Sequence, residues 1–413
     1  MTLANRSLAG ALPDATHKEG KAIIQVASLF NQLLQHFPRT EFGALVKENN
    51  AERCAKGFGC WTQLVSMLFC QLAHADSLRE ICNGLGCCLG KLVHLGIAKA
   101  PNKSTLSYAN EHRPAKLYED LFYTALARFR DQGVLGPRKR RFRFKNKLLS
   151  LDSTTISLCL ELFPWAKFRR AKGGVKAHVL LDHDDYLPRY VLITEAQRSD
   201  VKMAGAFPLN PGSIVAMDRG YNDYRLFGKW TAEEIFFVTR LKENAAYEVV
   251  QECAVPKNRN IRSDQLIRLS GIQAQKDCPC LLRRVVVWDA VNDREIVLLT
   301  NLLAFGATTI AAIYKDRWEI ELFFKALKQN LQVRTFVGTS QNALRIQIWT
   351  ALIAILLLKW LHHLSKAKWS LSNLASMLRL NLFTYRDLRN WLDHPFETPP
   401  LLPQSQQLTL ALA

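Results

Sequence analysis

The stretch on which the reading turns is Tyr314-Lys-Asp-Arg-Trp-Glu-Ile-Glu-Leu-Phe-Phe-Lys-Ala-Leu-Lys328. Wound as a helix, it places Tyr314, Arg317, Glu321 and Lys328 within an arc of about 60°. Ile320, Phe323, Phe324, Leu327 and Leu331 recur at three- and four-residue spacing on the other side, an apolar face with which to pack. A phenol, a guanidinium, a carboxylate and an ammonium are then aimed one way. The same pattern also describes the solvated face of an ordinary amphipathic helix, in which Arg317 and Glu321 form an i,i+4 pair worth about 0.3–0.5 kcal/mol. Taken alone, the stretch leaves both readings open.

Residues upstream bear on the choice. Leu148-Leu-Ser-Leu-Asp-Ser-Thr-Thr-Ile156 reads as a strand, with Asp152 inside an apolar and β-branched run. An ionised carboxylate there needs a cation or strong donors; an Asp that caps a Ser-Thr turn is the structural alternative. Residues 171–182 and 187–195 read as a hairpin joined through His183-Asp-Asp-Tyr186, with Lys172, Lys176 and His178 alternating along one face of its first strand. Residues 200–207 read as helix. Ser213-Ile-Val-Ala-Met-Asp-Arg-Gly-Tyr221 reads as a short strand that ends on Asp218 and turns at Gly220, followed by helix at 222–234 and strand at 235–241. The order is an α/β layer, with Asp152 on its first strand and Asp218 at the end of its fourth. Residues 245–303 interrupt it as a β-rich insertion containing a hairpin of 281–291 and 294–300 turned at Asn292-Asp293.

Around this layer the chain reads as helical. Residues 1–21 form a loose terminus. Residues 22–136 carry helical periodicity at Ile23, Ile24, Val26, Ala27, Phe30 and Leu33 and again at Trp61, Leu64, Val65, Leu68, Phe69 and Leu72. Ser104 or Thr105 is the expected N-cap of a later helix. This module docks DNA or serves as a structural cap; no sharp signature separates the two. Residues 137–147 hold seven basic residues with Phe142 and Phe144 alternating among them, which reads as a strand with one cationic face, for phosphate contact or as a charge-defended edge. The apolar run 348–358 is too short to span a bilayer and reads as a buried helix. Residues 371–392 are helical, and a Pro-rich tail follows that is expected to be disordered.

Bulk composition narrows the partners. Lys and Arg number 55 against 36 acids in 413 residues, a net charge of +19, which points to a polyanion, nucleic acid before acidic lipid. The first twenty residues lack the apolar core of a secretory signal. The ten cysteines show no pairing pattern, and Cys278-Pro-Cys280 and Cys87-Cys88 lack zinc spacing, so reduced cytosolic thiols and no zinc are expected. Three gathered carboxylates repel one another unless divalent cations bridge them, and an oxygen-only set suits Mg²⁺ or Mn²⁺. Two such ions about 3.5–4 Å apart serve phosphodiester chemistry, with Arg317 and Lys328 on phosphates and Tyr314 beside the scissile bond.

The spacing Tyr314-x2-Arg317-x3-Glu321-x6-Lys328 resembles, position for position, the Tyr-Arg-Glu-Lys signature of the DDE transposases of bacterial insertion sequences, of the insertion-sequence-four type with a β-strand insertion. Leu-Asp152-Ser-Thr-Thr-Ile resembles the family's first acidic block, Met-Asp218-Arg-Gly-Tyr-Asn-Asp-Tyr its second, and Lys172-Gly-Gly-Val-Lys176-Ala-His178 its basic second strand. The resemblance covers roughly residues 145–370. It implies an α/β, ribonuclease-H-like core in two parts, 137–244 and 304–366, split by the insertion at 245–303, with an all-helical N-terminal domain and a helical C-terminal region at 367–413. It further implies Asp152, Asp218 and Glu321 as catalytic ligands of two Mg²⁺ ions, with Mn²⁺ as substitute. DNA contacts fall to Tyr314, Arg317 and Lys328, with Lys172, Lys176 and Arg219 beside them. Trp288 is the candidate for stacking a flipped base, a core Trp being the alternative. The implied partners are double-stranded terminal inverted repeats and target DNA, held by a homodimer in the bacterial cytoplasm near the nucleoid, with no membrane. A catalytically idle DNA-binding relative and another nuclease on the same fold are the rival readings. The intact acids weigh against the first, and the basic stripe and insertion against the second.

Overall fold

A computed structural model of the chain describes residues 27–397 apart from 54, 56, 89, 134, 136–141, 160–161, 170–171, 258 and 334. The expected loose terminus, Ile23, Ile24 and Val26, residues 137–141 of the basic run at 137–147 and the end of the Pro-rich tail lie outside the described residues.

Among the described residues six α-helices come first: α1 (Leu29–Leu34), α2 (Arg39–Glu48), α3 (Cys60–Ala73), α4 (Leu78–Gly86), α5 (Lys103–His112) and α6 (Lys116–Asp131). The apolar positions read from the sequence, Trp61, Leu64, Val65, Leu68, Phe69 and Leu72 of α3, all lie in the core, but so do Gln63, Ser66 and Gln71, because the helix is enclosed on every side. Ser104 and Thr105 do not cap α5. Asn102 stays extended after Pro101, and the helix begins at the very next residue.

The sheet follows. Its elements are β1 (Leu148–Leu158), β2 (Lys167–Arg169), β3 (Lys172–Asp182), β4 (Leu187–Glu195), α7 (Asp200–Ala204), β5 (Ile214–Met217), α8 (Tyr224–Ala232), β6 (Phe236–Arg240), β7 (Tyr247–Glu252), β8 (Ile261–Leu269), α9 (Ile272–Asp277), β9 (Leu282–Asp289) and β10 (Arg294–Thr300). The strand order is β2-β3-β1-β5-β6-β10-β9-β8-β7, with β4 also paired to β3. β1 runs antiparallel to β3, and β1, β5 and β6 are mutually parallel. Residues 245–303 therefore do not leave the layer: β10 pairs antiparallel with β6, and the inserted strands continue one ten-stranded sheet.

The stretch expected as a strand before β1 is irregular over its described part, 142–147. The rings of Phe142 and Phe144 stack at 5.0 Å, and Phe144 tilts against Phe305 at 5.2 Å. A flat strand sends i and i+2 side chains to one face but keeps them apart along it; here both rings gather on one apolar surface.

Five α-helices follow among the described residues: α10 (Ala307–Asp316), α11 (Glu319–Asn330), α12 (Gln341–Leu364), α13 (Leu371–Asn381) and the short α14 (Leu388–Asp393). α12 is apolar on every side and is enclosed by α3, α5, α6 and α13. The helix is longer than the apolar run 348–358 and by length and composition could cross a bilayer; what marks it as core is that 89% of its apolar stretch is buried inside the protein. The N-terminal helices, α11, α12 and α13 thus share one apolar core with the outer face of β1 and β3. On the insertion side, Arg283 grips Asp264 through two bonds of 2.8 and 2.6 Å and donates to the carbonyls of Leu303 and Phe305. That buried guanidinium ties β8 and β9 to the segment leading into α10.

Candidate active site

The parallel register of β1 and β5 pairs Leu148 with Ile214 and Leu151 with Met217, so Asp152 and Asp218 fall at the next matched level. Adjacent strands stand about 4.8 Å apart, which makes the two acids lateral neighbours at the C-terminal edge of the parallel strands. β5 ends there while β1 continues, paired only with β3, so the edge opens beside Asp152.

The third acid arrives on a helix that is not continuous. The stretch expected as one helix across 314–328 is two, α10 and α11, joined through Arg317 and Trp318. The joint tightens to i→i−3 bonding: Trp318 N–H donates to Lys315 O, Ile320 N–H to Arg317 O and Glu321 N–H to Trp318 O. Its cause is tertiary. Arg317 is 7% exposed and its Nη1 lies 3.2 Å from Asp152 Oδ2 and 3.5 Å from Glu321 Oε1. Its predecessor Asp316 is pinned to His183 Nδ1 at 2.7 Å, and His183 Nε2 meets Ser150 Oγ at 2.6 Å. Ser150, His183 and Asp316 have the residue types of a hydrolytic triad, but Ser150 is fully buried within the sheet and no substrate reaches it. Their role is to hold the joint against β1. The apolar face of α11 is as expected: Ile320, Phe323, Phe324, Leu327 and Leu331 are all buried.

A residue the sequence reading missed completes the site. Arg240, the last residue of β6, places Nη2 2.7 Å from Asp218 Oδ1. A signal for it is present, since it stands one residue before the end of the strand expected at 235–241, which follows the strand ending at Asp218. Tyr314 lies half-buried with the Arg317 guanidinium 5.7 Å from its ring centre, and burial raises its phenol. Lys328 Nζ donates to the carbonyl of Thr155, three residues beyond Asp152. Trp318, also missed, is 59% exposed beside the acids, with Leu322 exposed one turn on.

The other expected contacts are more distant or already engaged. Lys176 is enclosed, its Nζ 2.9 Å from Asp200 Oδ2, and Asp200 also accepts from Ser153 Oγ. His178, on the same face, is fully buried against Thr194 and Asp200. Lys172 opens β3, and its side chain lies outside the described structure. Arg219 is half-exposed, with the exposed Glu243 3.1 Å from its guanidinium. Trp288 pairs across to Glu295, three residues past the Leu298–Arg240 pair, which sets it about 10 Å beyond the end of β6. It is therefore on the acidic end of the sheet but apart from the acids, with the Arg262 guanidinium 5.3 Å from its ring centre.

The charges are in tension. Burial pushes the Asp152 carboxyl up to about 6, and the carboxylates of Glu321 and Asp218 add to the rise, while the Ser153 amide and Arg317 oppose it. For Asp218, burial is outweighed by the Arg240 hydrogen bond, the Arg219 amide and nearby positive charge, which keep its carboxyl below the ordinary range. Among the described residues no three His, Cys, Asp or Glu side chains converge tightly enough to hold an ion as they stand, because two arginines lie among the carboxylates. The donor set still fits a hard divalent cation: it is all oxygen, and its most buried member stays strained despite Arg317.

The Transposase DDE domain family matches residues 143–357, and residues 25–98 match a domain of unknown function (DUF4372). The protein named transposase y4zB from Sinorhizobium fredii is 32% identical over 318 residues, 75% of this chain and 84% of the relative. The transposase named for insertion sequence element IS5377 of Geobacillus stearothermophilus is 32% identical over 235 residues, 57% of this chain and 62% of the relative. The one named for IS4SA of Synechocystis is 28% identical over 268 residues, 62% of this chain and 71% of the relative.

Proposed function

The chain belongs to the DDE transposases of insertion sequences, and on that premise we propose that it binds the terminal inverted repeats of its element, hydrolyses phosphodiester bonds at the ends and joins them to target DNA by strand transfer. The observation that carries this reading is the β1/β5 register: it sets Asp152 beside Asp218, and Glu321 reaches the same Arg317 nitrogen as Asp152. Antiparallel β4, β3 and β1 followed by parallel β5 and β6 support a ribonuclease-H-like core under that site.

In this reading Asp152, Asp218 and Glu321 are the residues that would hold Mg²⁺ or Mn²⁺. When bound, two such ions supply the charge that activates an attacking hydroxyl and stabilises the leaving oxygen. Arg317 and Arg240, which neutralise the acids, are the donors in place for non-bridging phosphate oxygens, with Lys328 on the rim. Tyr314 sets its ring beside the Arg317 guanidinium. Trp318 is a stacking surface at the acids themselves, whereas Trp288 would meet DNA farther out along the sheet. The helical module at 22–136 is assigned to DNA docking, and a homodimer would hold two ends together in the bacterial cytoplasm.

The test is cleavage of linear DNA carrying the element's own terminal inverted repeat. Cleavage at the end that requires Mg²⁺ or Mn²⁺ is the expected result. Specific binding without cleavage in either ion would instead identify an idle DNA-binding relative.

The Ser150-His183-Asp316 chain yields a second expectation. His183→Ala should slow cleavage about tenfold with DNA affinity unchanged, because it frees the joint that aims Arg317. His183→Gln, which can still bond a neighbour, should recover part of the rate. An unchanged rate in His183→Ala would remove the positioning role.

A further inference from the structure

Cys278 and Cys280 lie far along the sheet from the acids and take no part in the chemistry proposed there. Cys278 follows α9 and is buried in the apolar layer between α8 and the inserted strands; Cys280, half-buried, packs at its border. Their sulfurs stand 3.2 Å apart. Only Pro279 separates them, so their Cα atoms can be at most about 7 Å apart and closure of a ring needs almost no loop ordering. The backbone here is pressed onto α8: a Cβ on Gly228 would meet Asp277 O at 2.2 Å. On its open side Cys280 Sγ lies 3.8 Å from Thr231 Oγ1, which itself accepts a bond from Asn301.

We propose that Cys278 and Cys280 form a reactive dithiol, a modification site that low-molecular-weight disulfides oxidise to an intramolecular disulfide. The alternative of a thiolate metal centre lacks ligands, because no group of three His, Cys, Asp or Glu forms around the pair among the described residues. The two sulfurs differ in the way stepwise exchange requires. The contact with Cys278 and the Thr231 hydroxyl favour the Cys280 thiolate over the opposing effect of burial, while the contact with Cys280 and then burial hold Cys278 protonated. Burial raises Cys60 and Cys70 to about 12, so those thiols are inert.

The exchange balances with the disulfide as oxidant. The Cys280 thiolate attacks one sulfur of the small disulfide and the first small thiolate leaves. The Cys278 thiol gives its proton to that thiolate, its sulfur attacks Cys280 Sγ, and the second small thiolate leaves. Two protein thiols are oxidised and one disulfide becomes two thiols, the second small thiolate taking from solvent the proton that Cys280 lost on ionising.

The experiment exposes the full-length protein to oxidised glutathione, traps remaining thiols with an alkylating agent under denaturing conditions, and reads the peptide containing both cysteines by mass spectrometry. Wild type should lose two hydrogens on that peptide and carry neither glutathione nor alkyl group. Cys278→Ala should retain glutathione on Cys280 at a level at least about tenfold above wild type, since the resolving thiol is gone. Alkylation of both cysteines in the wild type, or equal glutathione retention in wild type and Cys278→Ala, overturns the proposal. The wild-type reading alone decides it if the variant fails to fold.

Discussion

Glu321→Gln lowers the rate of strand cleavage at least about 10³-fold and leaves affinity for the terminal inverted repeat within about twofold. The substitution keeps the size and one oxygen of the side chain and removes its charge. Glu321 sits in the first turn of α11 with a side chain 40% exposed, so no packing is lost. Arg317 keeps Asp152 as its partner at 3.2 Å and stays in place. What disappears is the anionic oxygen that a divalent cation requires, because a neutral amide binds Mg²⁺ far more weakly. DNA affinity rests on cationic contact with phosphate, and the chain carries 55 Lys and Arg in all. The rate should therefore be read in single turnover at saturating protein and the affinity by titration at fixed salt. Cleavage near the wild-type rate would remove Glu321 from the acidic set, whatever the fate of the fold.

The sequence exposed the elements whose periodicity is local. β1, β3, β4, β5 and β6 were legible from short apolar runs with turn residues between them, and β9 with β10 from an Asn-Asp turn. Asp152 stands out because an acid inside a β-branched run has a desolvation cost that demands a partner, and Asp218 because it ends a short apolar strand at a turn. The joint at Arg317 was not, since Arg, Trp and Glu are all acceptable in a helix and the apolar spacing continues through it. It forms because Arg317 is drawn to Asp152, 165 residues away, and Asp316 to His183, 133 residues away. Lys176 shows the same limit. Alternation put it on a cationic face, but the residue that occupies it is Asp200, brought alongside by α7. The pairing of β10 with β6, which makes the insertion part of the same sheet, is likewise set by contact and not by any local pattern.

In the metal-free protein Asp152→Asn should increase stability at pH 8 by up to about 3 kcal/mol, with no difference from wild type near pH 4. The sign follows from the direction of the shift. The Asp152 carboxyl is pushed from its ordinary 3.8 up to about 6 in the folded state, with burial as the main cause. A folded value above the unfolded one means that the protonated form favours folding: this contribution is fully present below about 4 and is lost as pH rises through about 6. Asparagine stays neutral at every pH and escapes the loss. Other titrating groups, including the half-buried His36 and the buried His178, both lowered to about 4 chiefly by burial, cancel in the comparison of variant with wild type. Divalent ions should act in the opposite sense, because they bind the ionised carboxylate. Mg²⁺ or Mn²⁺ should raise the melting temperature of wild type most above pH 6, lose that effect as pH falls through it, and do little for Asp152→Asn at any pH. Urea unfolding across pH 4–8, with and without Mg²⁺, measures both. A variant less stable than wild type at pH 8 without metal would show that Arg317 already satisfies Asp152 and that the site is not strained for a cation. An ion effect retained in the variant would place the bound ion elsewhere than on β1.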